Sequence, residues 1–263
     1  MWLDEEITIT KRDLVLEQPL VNSAGMLGFA PDPHNMPFLP QLGAFITNPI
    51  SRQRRTPAAN RVYLPYPGGF LLHTGFPNPG INRVISRYKR RWAGAPLPVI
   101  VHLLVETPES LAEMIRKLEG LENVMGVELG LPPGCTVSEL SQFMAAALGE
   151  LPVILSLNLE QIQVLEEGLS EHPPSALHLI KPRGTFPDSQ GNLVTGRLYG
   201  PALFPIMLDA VKCLLELGYP LVVDGGITHR WQADAFLNLG VLAVGLGSVL
   251  WQVSRDRFSK TQE

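Results

Sequence analysis

The strongest constraint on this fold is a rhythm: short apolar runs recur along the chain, and several are followed by helix-like stretches. Pro98 to Leu104 reads as a buried strand. Thr107-Pro108-Glu109-Ser110 then supplies a helix N-cap with proline at the first helical position, and Leu111 to Leu121 carries an amphipathic period. Similar runs stand at Gly43–Thr47, Gly126–Gly130, Pro152–Leu157, Ala176–Ile180, Pro220–Asp224 and Ala243–Gly247, with a helix from Trp231 to Asn238 between the last two. Alternating strands and helices build a parallel sheet. A chain of 263 residues, 45% apolar, has the size of a closed (β/α)₈ barrel, which needs about 250. No linker-like or low-complexity stretch divides it. The expected architecture is one α/β domain over residues 1–263, a single (β/α)₈ TIM barrel with a short N-terminal β extension.

Arg52 to Gly80 breaks the rhythm. It is rich in Pro, Gly and Arg and reads as one long ordered loop after a strand, hence on the C-terminal face where barrel enzymes keep their sites. Its arginines, Arg52, Arg54, Arg55 and Arg61, either guide an anionic substrate or coat the surface. A net charge of −4 and only 17% charged residues give no attraction to nucleic acid or anionic membranes, which leaves small molecules as partners. Cys135 and Cys213 have no disulfide or zinc spacing, so no metal site is expected. The acidic opening Met1-Trp-Leu-Asp-Glu-Glu6 is unlike a secretory signal, and no apolar run approaches the roughly 18 residues that span a bilayer. A cytoplasmic protein is expected.

Two glycine bends stand near the C-terminus. Asp224-Gly225-Gly226-Ile227 follows one strand and precedes a helix; Gly245-Leu246-Gly247-Ser248 ends the next. Glycines there let backbone N–H groups approach an anion, and a helix N-terminus adds its positive dipole end, so the pair can cradle a phosphate. Loops after the seventh and eighth barrel strands commonly do this. The alternative is that these glycines serve only tight turns and close packing.

With these segments in order, the chain resembles the dihydroorotate dehydrogenases, in particular the soluble class 1 enzymes, nearly from end to end. Leu14–Gly28, with Gln18–Gly25 inside it, is similar to the family's first strand and the small-residue loop, with Ala24 and Gly25, that passes the flavin. Gly43–Asn48 resembles the second strand, while Thr56–Arg61 and Gly69–Gly80 resemble the substrate-side loop. Gly196–Pro205 resembles the glycine-rich entry to a helix, and Asp224–Ile227 with Gly247-Ser248 the two phosphate loops. The resemblance implies bound FMN, a flavin-dependent oxidoreductase and a homodimer. The FMN-contacting positions it marks are Ala24, Gly25, Asn48, Ser156, Lys181, Gly200, Gly225, Gly226, Gly247 and Ser248.

It also implies an altered active site. Two family lysines at the electron-rich edge of the flavin, where a cation stabilises the reduced ring, fall on Asn48 and Ser156. The pattern Asn-x-x-Gly-Leu-x-Asn falls on Leu72 to Asn78 and loses its first asparagine. The motif that carries the catalytic base falls on Gly130 to Cys135 and loses the base and both asparagines. Another asparagine falls on Lys181. A site that reads its ligand through several amides discriminates steeply when they are lost, so a substrate other than dihydroorotate is expected. A non-catalytic barrel binding FMN or another phosphorylated ligand, and a true dihydroorotate dehydrogenase with a rearranged site, are the alternatives. Candidates for the missing chemistry are Lys181, able to reach inward, Cys135, on the loop that lost the base, and His73, in the long loop. Arg183 is read as a surface or anion-contact residue and Glu128 as structural, inside the barrel. With no iron–sulfur motif present, electron transfer beyond the flavin calls for a redox partner protein.

Overall fold

The computed structural model describes residues 13–165, 169 and 171–251. Eight parallel strands form a ring: β1 (Leu20–Asn22), β2 (Phe45–Ile46), β5 (Val99–Leu104), β6 (Val124–Gly130), β7 (Val153–Leu157), β8 (Ala176–Leu179), β11 (Leu221–Asp224) and β12 (Ala243–Leu246). They follow one another in chain order around it, β1 pairs with β12, and a parallel bridge between Val21 and Ala44 joins β1 to β2. Outside lie α1 (Ile81–Ala93), α2 (Pro108–Leu118), α3 (Val137–Ala146), α4 (Phe204–Leu215) and α5 (Arg230–Asn238), with 3₁₀ turns at Leu39–Gln41 and Leu159–Val164. This is the expected (β/α)₈ barrel. Any N-terminal β extension ahead of residue 13 lies outside the described residues.

The local signals place α2 well. The Thr107 side chain accepts from the Ser110 N–H at 3.2 Å and the Ser110 hydroxyl accepts from the Thr107 N–H at 3.1 Å, a capping box that satisfies two N–H groups at the helix start. The helix stops at Leu118, three residues before the expected Leu121, because Gly120 takes the left-handed conformation at φ +78°.

Alternation along the strands sorts the core into an outer and an inner shell. Val99, Val101, Leu103, Val127, Leu129, Leu155, Leu177 and Val223 point outward and pack with helix residues such as Leu111, Met114, Met207 and Phe236. Their neighbours point into the barrel, where Val21, Ala44, Ile46, Ile100, Ile154, Ala176, Val222 and Ala243 fill the bottom. Two residues further along, the inward positions turn polar: His102 after Ile100, Ser156 after Ile154, His178 after Ala176 and Asp224 after Val222. The barrel therefore has an apolar floor and a buried polar layer above it, toward the C-terminal ends of the strands.

The expectation that Arg52–Gly80 is one long ordered loop is corrected. It contains β3 (Val62–Tyr66) and β4 (Gly69–His73), an antiparallel hairpin. Pro65 disguises β3, since proline cannot donate to a ladder; it is tolerated because β3 is the edge of its sheet. A second hairpin, β9 (Arg183–Pro187) and β10 (Leu193–Tyr199), rises between β8 and α4 and pairs with the first through β10 and β4. The result is a four-stranded antiparallel sheet in the order β3-β4-β10-β9. Part of Gly196–Pro205, expected to be a helix entry, belongs to β10, and α4 begins only after a 3₁₀ turn at Pro201–Leu203. The glycines permit contact between the hairpins: a Cβ on Gly69 would fall 2.0 Å from the Tyr199 carbonyl oxygen, and one on Gly196 would fall 2.6 Å from that of Leu72.

Trp92, at the end of α1, is fully buried and donates from Nε1 to the Phe29 carbonyl at 2.7 Å, tying the loop after β1 to the outer shell. Trp92→Ala should cost about 3–5 kcal/mol, read as a lower urea midpoint, because it removes a large core side chain and leaves a cavity. Trp92→Phe should cost less and still strand the Phe29 carbonyl, about 1–3 kcal/mol.

Candidate functional site

A cavity of about 290 Å³ lies between the barrel mouth and the antiparallel sheet. The strand ends contribute His102 and Ser156 from below, and the sheet contributes His73, Arg197 and Tyr199 from above. Phe76, in the left-handed region at φ +53°, follows Gly75 at φ +75° on the wall, and the Arg197 guanidinium stacks over its ring at 5.2 Å. Among the described residues, four cationic side chains, Arg55, Lys181, Arg183 and Arg197, line the cavity, and no carboxylate does. That imbalance favours an anionic occupant.

Next to it a smaller crevice runs between the loop after β11 and the loop after β12. Gly200, Gly225, Gly226, Gly247 and Ser248 line it, and Lys181 and Tyr199 are shared with the larger cavity. Gly225 (φ +132°) and Gly226 (φ +75°) adopt conformations that side chains resist, and a Cβ on Gly226 would fall 2.2 Å from the Phe204 backbone nitrogen. Among the described residues, the backbone N–H groups of Gly225, Gly226, Gly247 and Ser248 donate to no other atom of the chain. Four such donors around one crevice, with α5 starting just beyond, make an anion cradle of the kind a phosphate occupies. The crevice measures about 20 Å³.

Lys181 joins the two spaces. The solvated surface position that is the default for a lysine does not apply here: the side chain is 3% exposed and its ammonium binds the equally buried Asp224 carboxylate. Burial pulls the Lys181 pKa below the usual lysine value, against the opposing pull of Asp224. The ammonium also stands 5.2 Å from the centroid of Tyr199, whose phenol burial pushes up to about 12.

The other sequence candidates divide. His73, at the end of β4, and Ser156 reach the larger cavity, and Ser156 Oγ is buried without a partner. Asn48 turns elsewhere: its Oδ1 accepts from the Gly28 N–H at 3.0 Å, and its own N–H donates to the Gly28 carbonyl, clamping the loop that carries Ala24 and Gly25. Asn78 likewise braces Ser51 and Gly80. Neither these residues nor Ala24 or Gly25 line either space. Cys135 is buried before α3 and its thiol is pushed up to about 11, by burial first and by Glu139 second, which makes it a poor base near neutral pH. Glu128 is inside the barrel, as expected. His102 and His178 were missed by sequence reasoning. The signal for them was a polar residue at an inward position of an otherwise apolar strand.

No family model matches the chain. The catalytic subunit of a dihydroorotate dehydrogenase B (NAD(+)) from Pelobacter propionicus is 27% identical over 264 residues, covering 92% of this chain and 87% of that protein. Its counterpart from Trichlorobacter lovleyi is 27% identical over 256 residues, with coverages of 89% and 84%. The chain is a relative of the dihydroorotate dehydrogenases. The likeness extends to fold: the dihydroorotate dehydrogenase of Eimeria tenella, solved in complex with ferulenol, superposes with a TM-score of 0.64 at 15% identity, over 92% of this chain and 80% of that one. Among the described residues, no helix of this dihydroorotate dehydrogenase relative is long and apolar enough to cross a membrane.

Iodoacetamide at pH 8 should alkylate the exposed Cys213 and spare Cys135, one adduct per chain by mass spectrometry. The raised thiol pKa contributes stability below the free-cysteine range of about 8.5, and that contribution is lost as pH rises past about 11. At the ion pair, Lys181→Ala should cost about 3–5 kcal/mol in urea unfolding, since it strands a buried carboxylate, whereas Lys181→Met combined with Asp224→Leu should recover most of that loss.

Proposed function

We propose that this chain is an FMN-dependent oxidoreductase of the dihydroorotate dehydrogenase kind that acts on a small anionic substrate in the 290 Å³ cavity. The observation that carries the cofactor half is the cradle of four unpartnered N–H groups at Gly225, Gly226, Gly247 and Ser248. Those residues would hold the FMN phosphate, with Gly200 beside them and Ala24 and Gly25 on the loop after β1. When bound, FMN supplies a hydride acceptor. Lys181, at the boundary of the two spaces, places a positive charge where the lysines replaced by Asn48 and Ser156 are absent. Asp224 balances that charge, which tempers the gain.

Arg183 and Arg197 orient an anionic substrate by charge, and the β3-β4-β10-β9 sheet screens it from water. The names of the relatives support dihydroorotate itself, a carboxylate that such a cavity accommodates, over the different substrate that the altered amide positions suggest. Those relatives are designated catalytic subunits, which supports an electron-transfer partner for this chain too. Assembly as a homodimer is part of the same proposal and is read directly by light scattering. A non-catalytic FMN-binding barrel is the second reading; it is favoured by the use of Asn48 to clamp the Gly28 loop rather than face the ligand.

The test is optical. Purified protein incubated with FMN should retain flavin absorbance through gel filtration, and anaerobic dihydroorotate should bleach it. Failure to take up FMN removes the cofactor reading. Retention with bleaching by dithionite but not by dihydroorotate rejects dihydroorotate as substrate and leaves the different-substrate and non-catalytic readings, which a panel of other anionic donors separates.

A further inference from the structure

The polar layer of the barrel contains a second ionisable group that the flavin reading leaves unused. β5, β6 and β8 direct His102, Glu128 and His178 inward, and all three are buried to within 1%. One carboxylate oxygen, Glu128 Oε1, lies 3.1 Å from His178 Nδ1 in a hydrogen bond and 3.2 Å from His102 Nδ1 in a close approach without hydrogen-bond alignment. Burial opposes ionisation of Glu128, but the two imidazoles outweigh it and hold its carboxyl well below the usual range.

The opposite sides of this cluster are open. His102 Nε2, His178 Nε2, Glu128 Oε2 and the neighbouring Ser156 Oγ have no partner among the described residues. Each such buried atom costs about 1–3 kcal/mol, and native interiors contain few of them. Four in one layer point to something that fills it. His102 and Ser156, but not His178, line the 290 Å³ cavity. Gly130, on β6, keeps His102 uncovered: a Cβ there would fall 2.6 Å from Nε2. No group of three or more His, Cys, Asp or Glu side chains able to hold a metal ion occurs among the described residues.

We propose that His102 is the acid–base residue of this cavity, with Glu128 as its positioning residue and His178 as a second ring on the same carboxylate. The negative charge of Glu128 Oε1, 3.2 Å from Nδ1, favours the proton on that nitrogen, so neutral His102 presents an unprotonated Nε2 to the cavity. A ligand with an acidic X–H gives its proton to Nε2. The N–H bond forms, the X–H bond breaks, and the electron pair stays on X. The cluster passes from a charge of −1 to neutral, and the new ligand anion faces Arg183 and Arg197. The other charges around the cluster are the Lys181 ammonium and the Asp224 carboxylate; β7 contributes the uncharged Ser156 and β12 contributes Gly245. The ligand class is a small molecule carrying an acidic proton whose conjugate base is an anion. The assignment stands with or without bound flavin.

Histidine-labelled protein, followed by nitrogen NMR without any cofactor, tests it. Neutral His102 should be the Nδ1–H tautomer. Formate, a carboxylate small enough for the cavity, should perturb the His102 signals more than those of His178. Gly130→Ala, which covers Nε2, should abolish the response of His102 to formate. Glu128→Gln should shift His102 toward the Nε2–H tautomer; if that variant does not fold, wild type and Gly130→Ala carry the decision. A neutral His102 already protonated on Nε2, His102 signals that formate leaves fixed, or a Gly130→Ala variant that responds to formate like wild type would overturn the proposal.

Discussion

A parallel strand ring closed on itself lets every second side chain point inward and no others, and almost everything else in this molecule follows from that alternation. Closure through β1, β12 and the Val21–Ala44 bridge leaves an interior that must be filled by short, regularly spaced side chains. The floor is filled with valine, isoleucine and alanine. The next inward row contains His102, Glu128, Ser156, His178 and Asp224. Burying that many polar groups is unfavourable unless each finds a partner, and they find partners unevenly. Asp224 has Lys181 and Glu128 has two imidazoles, but Ser156 Oγ and both Nε2 atoms have none. The floor supplies the burial that stabilises the barrel; the polar row spends part of it on an arrangement suited to binding.

Two hairpins turn that row into a site. β3–β4 and β9–β10 leave the barrel at different points of the chain, after β2 and after β8, yet pair into one sheet. Their glycines allow backbone contacts too close for any side chain. Without this sheet the strand ends would face solvent, and the electrostatic imbalance of four cations and no carboxylate would be screened by water. With it, the same charges act across a confined space.

The division between cofactor and chemistry follows the same geometry. The glycine loops after β11 and β12 present backbone N–H groups, and Gly225 and Gly226 take conformations that only glycine adopts easily. The chemistry depends on individual side chains, and several positions where the family resemblance places catalytic groups hold Asn48, Ser156 and Cys135 instead. Of these, only Ser156 reaches the cavity. His102 does as well, from a strand that the resemblance did not mark.

Taken alone, the sequence determined the barrel, because period-two apolar runs separated by capped helices have few other ways to bury their faces. It also marked the glycine bends after β11 and β12, since paired glycines at strand ends carry their own local conformation, and it placed Lys181 and Ser156 at strand ends. It could not show that Arg52–Gly80 holds a hairpin, because Pro65 suits an edge strand and nothing local says which strand is an edge. Nor could it show that Asn48 and Asn78 turn away to brace loops, that Lys181 is paired with Asp224 from a strand 43 residues on, or that His102 and His178 meet at one carboxylate. Those are contacts between distant strands, set by ring closure and register, and only the tertiary structure decides which inward positions share a level.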